Sequence, residues 1–249
     1  MHEKILIIAD IEGSSGCFNY EASSFKTKKW ARACAAMSHD MNALVLALFE
    51  AGAQKIFVKD FHRTGYNLLP ELMDPRATLL PGYLNGSVPG IGDPPDVTAL
   101  MMTGMHAPSG SNGFLAHTLT SRIARLAVNG NLMCEAELFS SALAPFNIKP
   151  VFFSGCPVAC DCAARAIPDL VVHPIDKTAD GFDADSWRKD FAAVGAASLH
   201  NDAARPFLPP GPFLAEVLIR DGAAEAKRMA ERWGFGFSGA TIHLEENEI

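Results

Sequence analysis

The chain has 249 residues, 49% hydrophobic and 20% charged, so it can bury a sizeable core and is too apolar to be disordered. Its 21 basic and 28 acidic residues leave a net charge of −7, with a pI near 5.6, which argues against a nucleic-acid binder. No stretch approaches the ~20 apolar residues needed to cross a bilayer. Met1–Lys4 runs into a short aliphatic segment with no cleavage signal, so a cytoplasmic protein without membrane partners is expected.

Lys4–Ala9 is an aliphatic run ending at Asp10 and reads as a buried parallel strand. Residues 26–51 lack proline and glycine and carry apolar side chains at helical spacing, predicting one long helix closed by Gly52. Residues 55–59 form the next strand, completing a strand–helix–strand unit. Residues 66–95 are rich in proline and glycine and read as loop with short elements. Further strands are expected at 97–103, 123–128, 150–154, 170–175, 213–220 and 241–244, with a hairpin turn at Asn129-Gly130. Helices are expected at 133–145, 156–166, 185–201 and 221–232, and the acidic tail 245–249 should fray. The alternation defines an α/β protein: a mostly parallel central sheet flanked by helices, with a smaller C-terminal part. Prolines clustered at 206–212 place the division between a core at 1–200 and a part at 201–249 that packs on it.

Polar clusters follow three of the predicted strands: Asp10-Ile11-Glu12-Gly13, Asp60-Phe61-His62 and Gly104-Met105-His106. In open parallel sheets ligands bind beyond the carboxyl ends of the strands. If these strands are neighbours, Asp10, Glu12, His62 and His106 meet in one crevice, with Ile11 turned into the fold. Two carboxylates and two imidazoles suit zinc or a similar divalent metal, and a third carboxylate, Glu135, would favour a pair of ions. Asp60 reads either as orienting a ligand histidine or as a strand-end acceptor of backbone hydrogen bonds. Cys156-x3-Cys160-x-Cys162 lacks the second half of a structural zinc module and reads as buried thiols. Gly13-Ser-Ser-Gly16 is not the G-x-G-x-x-G of a dinucleotide site, and Gly13 is expected to allow the turn that aims Glu12.

These clusters, with Ala116-His117-Thr118 and Asn129-Gly-Asn-Leu-Met-Cys-Glu135, resemble the zinc-dependent D-aminopeptidase family of the DppA type, peptidase family M55. The order and the spacing carry the resemblance: eleven residues from His106 to His117, eighteen from His117 to Glu135. It implies a dinuclear zinc site held by Asp10, Glu12, His62, His106 and Glu135, with His117 as the catalytic residue. It also implies a small amide or short peptide as substrate, one with a D-residue at the amino end, and a homo-oligomeric ring, such as a decamer. Asp10 is the expected bridge between the ions. His117 is expected to pass a proton to the leaving amine or stabilise the oxyanion, with a nucleophilic role left open. Cys134 stands where the family has glycine, and the chain is shorter at its C-terminus than typical members. The alternative activity is hydrolysis of a non-peptide amide in a catabolic pathway. A non-catalytic metal-binding protein is a further alternative.

Overall fold

The computed structural model describes residues 1–247. The chain runs through β1 (Lys4–Ala9), α1 (Lys28–Glu50), β2 (Lys55–Asp60), β3 (Thr78–Leu80), β4 (Ala99–Met105), β5 (Ile123–Val128), β6 (Asn131–Leu132) and α2 (Glu135–Leu143). It continues through β7 (Lys149–Gly155), α3 (Pro157–Ala166), β8 (Val171–Pro174), α4 (Ala184–Ala197), β9 (Phe213–Ile219), α5 (Ala223–Trp233), β10 (Gly236–Ser238) and β11 (Thr241–Glu246).

Six strands form a parallel sheet in the order β3-β2-β1-β4-β7-β8. Strand β1 is buried on both faces, so its sequence is continuously apolar, and its side chains divide between two cores. Ile5, Ile7 and Ala9 pack with Met37, Leu44 and Leu48 of α1 and Phe191 of α4. Leu6 and Ile8 pack with Phe139 and Leu143 of α2 and Ala159 and Ala163 of α3. The expected α/β architecture is therefore present, with helices on both faces of the sheet.

A second, antiparallel sheet has the order β10-β11-β9-β5-β6. Its core joins Ile123 and Leu126 to Val217, Ile219 and Ile242, under Ala226 and Ala230 of α5. The hairpin β5–β6 lies within the crossover from β4 to β7, yet it pairs with β9, so this sheet draws on residues from both sides of position 200. Among the described residues, no helix is long and apolar enough to cross a membrane.

Several boundaries differ from the expectation for local reasons. Helix α1 starts at Lys28 because Lys26 is left-handed (φ 66°) and the Thr27 hydroxyl caps the helix by accepting the Trp30 N–H at 3.0 Å. Strand β3 is one of the short elements expected in the proline- and glycine-rich stretch; at three residues it is too short to show a period of its own. Of the acidic tail, Glu245 and Glu246 pair with Leu214 and Phe213 instead of fraying, and Glu248 and Ile249 lie outside the described residues.

One contact fixes the mouth of the sheet. Gly104 is left-handed (φ 71°), at an irregularity in the pairing of β4 with β7, and a Cβ there would overlap the Asp10 carbonyl oxygen. The Gly13 N–H donates to the Gly104 carbonyl at 2.7 Å, and a Cβ at Gly13 would overlap the Met105 carbonyl oxygen. Gly13 is thus required by close backbone approach rather than by a left-handed turn. Gly104→Ala is expected to cost about 3 kcal/mol or more, from backbone strain and overpacking combined. Urea unfolding would read this as a lowered midpoint; an unchanged midpoint would mean that the ends of β1 and β4 can separate freely.

Candidate metal centre

Strands β2, β1 and β4 are consecutive neighbours, and His62, Asp10 and His106 follow their carboxyl ends. The sheet is built outward from β1 to β3 on one side and from β4 to β8 on the other, so this edge is where the winding reverses. Ligands bind at such a reversal in open α/β sheets. Glu135, the first residue of α2, and His117, in the loop before β5, complete the group from the β4–β7 crossover. The structure thus brings together all six residues singled out by sequence, while Ile11 turns into the core and is fully buried.

The cluster is dense and dry. Asp10, Glu12, His62, His106 and Glu135 are each 8% exposed or less. Asp10 divides its oxygens: Oδ1 lies 3.0 Å from His62 Nδ1, and Oδ2 lies 3.4 Å from His106 Nε2. Glu12 Oε2 is 2.9 Å from the same His62 Nδ1, and Glu135 Oε1 is 3.5 Å from His106 Nε2. Two triads result, Asp10–Glu12–His62 and His106–His117–Glu135, each with its ligand atoms within 4.8 Å of one another.

Backbone carbonyls set the histidine tautomers. A carbonyl only accepts, so His62 donates from Nε2 to Ser23 O (2.8 Å), which points Nδ1 at the carboxylates. His106 donates from Nδ1 to Ala107 O (3.1 Å), which leaves Nε2 facing Asp10 and Glu135. His117 donates from Nδ1 to Leu115 O (2.8 Å), and Leu115 is itself left-handed (φ 45°). The His117 ring stacks on His106 with centroids 3.6 Å apart. Metal-ligating histidines commonly donate one ring N–H to a backbone carbonyl in this way, leaving the other nitrogen to bind the ion.

The electrostatics follow from burial and crowding. Burial, then the charge of Asp10, pushes the Glu12 carboxyl up to about 7. Burial opposes ionisation of Asp10, yet the close approach of the His106 and His62 rings holds its carboxyl well below the usual range. Burial likewise opposes charge on His62, but its contacts with Asp10 and Glu12 outweigh it and raise the ring to about 10. His117 is lowered by burial and then by the neighbouring His106. Glu12 Oε2 and His106 Nε2 are buried without a hydrogen-bond partner. Orphaned polar atoms within a set of carboxylates and imidazoles fit a divalent metal, which would satisfy both.

The supports of the cluster were largely invisible in the sequence. Asp60 accepts backbone N–H groups of His62 (3.3 Å), Leu68 (2.8 Å) and Asn67, so it serves as a strand-end acceptor shaping the 62–68 loop; the His62 ring is oriented by Ser23. Lys177 is a second missed residue. Its ammonium donates to the carbonyls of Glu12 (2.6 Å), Ser14 (3.0 Å) and Cys17, clamping the turn that carries Glu12. Asp40 holds the same turn through the Ser15 N–H and hydroxyl (2.8 Å each), and Arg188 Nε pairs with it at 2.9 Å. Cys134 is the buried N-cap of α2, and its sulfur lies beside Cys162 and Glu137 instead of among the side-chain atoms of the two triads. Cys156 and Cys160 are buried thiols, as read from the sequence, whereas Cys162 of the same run is only half-buried.

The fold and this centre define a doubly wound α/β protein with a histidine–carboxylate cluster at the reversal of its sheet. The Peptidase M55 family model, described as D-aminopeptidase, matches residues 3–230, and the chain belongs to that family. The resemblance read from the motifs is therefore borne out over nearly the whole chain. One curated relative, the D-aminopeptidase of Bacillus subtilis (strain 168), is 22% identical over 231 residues, covering 89% of this chain and 84% of the relative. Among solved structures, the Zn-dependent D-aminopeptidase DppA from Bacillus subtilis, a self-compartmentalizing protease, shares the fold with a TM-score of 0.87. That match is 18% identical and covers 98% of this chain and 92% of the other.

Lys177→Met keeps the stem and removes the donor, leaving three carbonyls short of a partner. It is expected to destabilise the protein by about 1–3 kcal/mol and to loosen Glu12. Urea unfolding together with zinc competition against a chelator would show both effects. Wild-type values in both measurements would remove Lys177 from the support of the site.

Proposed function

We propose that this chain is a zinc-dependent aminopeptidase that hydrolyses the amide bond of a small peptide bearing a D-residue at its amino end. The observation that carries the reading is the buried cluster in which one carboxylate, Asp10, faces a histidine on each side. Asp10, Glu12 and His62 would hold one ion, His106 and Glu135 a second, with Asp10 between them. Two such ions lower the pKa of water and polarise a carbonyl, which is the chemistry amide hydrolysis requires. The fold shared with a Zn-dependent D-aminopeptidase supports zinc as the metal.

The protein's own groups then have distinct tasks. Asp10, Glu12 and Glu135 bring three negative charges into a dry site, where two dications would leave it slightly positive and receptive to a developing oxyanion. Leu115 O fixes the His117 proton on Nδ1, so Nε2 is the atom that accepts a proton and returns it to the leaving amine. His117 and Glu135 line one cavity of about 450 Å³ that also includes Tyr20, Arg63 and Tyr83. That size suits a small ligand and excludes a folded polypeptide. Membership of the family, together with a self-compartmentalizing protease of the same fold, supports assembly of several copies into a ring.

Metal analysis of the purified protein is expected to find two zinc ions per chain. His62→Ala and His106→Ala should lower that content. His117→Ala should retain the metal and lose about 100-fold or more in kcat on a D-aminoacyl amide. Full activity in the His117 variant would exclude the proton-transfer role. Preference for N-acyl or aromatic amides over D-aminoacyl amides would favour the non-peptide amidohydrolase.

A further inference from the structure

The proposed reaction accounts for the carboxylates, the histidines and the amino side of the substrate. It leaves unused the one permanent cation in the cavity wall. Among the described residues that line the cavity, Arg63 alone is a lysine or an arginine. It follows His62 directly, and its backbone is left-handed (φ 48°), a conformation that is costly for a residue with a long side chain and that clusters at functional sites.

Arg63 is exposed, as a binding group needs to be, yet it is held in place. Its Nε donates to Ser23 O at 2.9 Å, and Nη2 donates to the Tyr20 hydroxyl at 3.3 Å. The guanidinium carbon is 5.8 Å from the centre of the Tyr20 ring. The Ser23 carbonyl is the same atom that accepts His62 Nε2–H at 2.8 Å, so a single oxygen ties the metal-facing imidazole to the guanidinium. One edge of the guanidinium is thereby occupied by protein. Nη1 has no hydrogen-bond partner among the described residues, and with the second N–H of Nη2 it forms a fork. That fork matches the two oxygens of a carboxylate.

We infer that Arg63 is the subsite for the terminal carboxylate of the substrate, so that the preferred substrates are very short peptides with a free carboxyl end. This rests on the aminopeptidase reading above. The metal-facing cluster is linked to Arg63 through the His62 ring, whose Nδ1 faces Asp10, and the Ser23 carbonyl, which accepts from both His62 Nε2 and Arg63 Nε. In a dipeptide the scissile carbonyl and the carboxylate are one residue, about 3.5 Å, apart, and each further residue adds about as much, so in peptides of two or a few residues the carboxylate stays within the cavity that Arg63 lines. A cluster loaded with two dications would not itself turn a carboxylate away, so the directed fork of Arg63 is what orients the substrate: amine and scissile bond toward the cluster, carboxylate toward the guanidinium.

The test uses the zinc-loaded protein and three substrates: D-alanyl-D-alanine, its C-terminal amide, and D-alanine p-nitroanilide. The wild type is expected to prefer the dipeptide acid over its amide by about 10–100-fold in kcat/KM, mostly through KM, as befits a charged hydrogen-bonded pair. Arg63→Met should bring the acid-to-amide ratio close to one, and Arg63→Lys should restore part of it. A wild-type ratio near one, or a wild-type ratio retained by Arg63→Met, would overturn the inference. Cleavage of the p-nitroanilide with a ratio near one would remove the Arg63 subsite while leaving the aminopeptidase reading intact. Failure to cleave any of the three would remove both.

Discussion

Asp10 leaves β1 with one oxygen 3.0 Å from His62 and the other 3.4 Å from His106, and the rest of the site is arranged around that division. A carboxylate 6% exposed between two imidazoles and two further acids is a costly placement. It is sustained because three of the four neighbours are already committed to the backbone: His62 to Ser23, His106 to Ala107, Glu135 to the Leu119 N–H at 2.8 Å. Asp10 also accepts the N–H of Ile11 at 2.7 Å, so its own carboxylate is fixed at the strand end. These commitments aim the remaining lone pairs into one volume, which is the property that suits the cluster to metal ions.

Backbone contact between two strand ends makes this volume small. Gly13 and Gly104 let the turn after β1 lie directly on the end of β4, and side chains at either position would push Asp10 away from His106. From the other side, Lys177, Asp40 and Arg188 pin the turn that carries Glu12. The β4–β7 crossover then closes the crevice. His117 N donates to Ala107 O at 3.0 Å, and the Thr118 hydroxyl bridges Ser109 N and Met133 O. The second sheet anchors this crossover through the pairing of β5 with β9, which links the C-terminal strands to the geometry of the site.

Much of this was legible in the sequence because the relevant signals are local. A polar pair at i and i+2 at a strand end marks that end, and Asp10/Glu12 and Asp60/His62 carry it, while His106 follows the third strand singly. Adjacency of the three strands, stated as a condition, is met by the order β2-β1-β4. What stayed hidden depends on contacts between distant segments. Lys177 is an ordinary lysine until the loop after β8 crosses the turn at 12–17, and Ser23 contributes a carbonyl, which any residue could supply. Arg63 points where it does because of a left-handed backbone that no propensity scale assigns to arginine. Gly13 was legible as important, but its reason is close approach to Met105, which only the packed strands reveal.

In the proposed arrangement Asp10 stands between two metal positions. Anomalous diffraction from crystals of the zinc-loaded protein, collected on both sides of the zinc absorption edge, would locate them. Two anomalous peaks flanking the Asp10 carboxylate are expected, one beside Glu12 and His62 and the other beside His106 and Glu135. A single peak, or peaks that leave Asp10 out of contact with either ion, would contradict that arrangement.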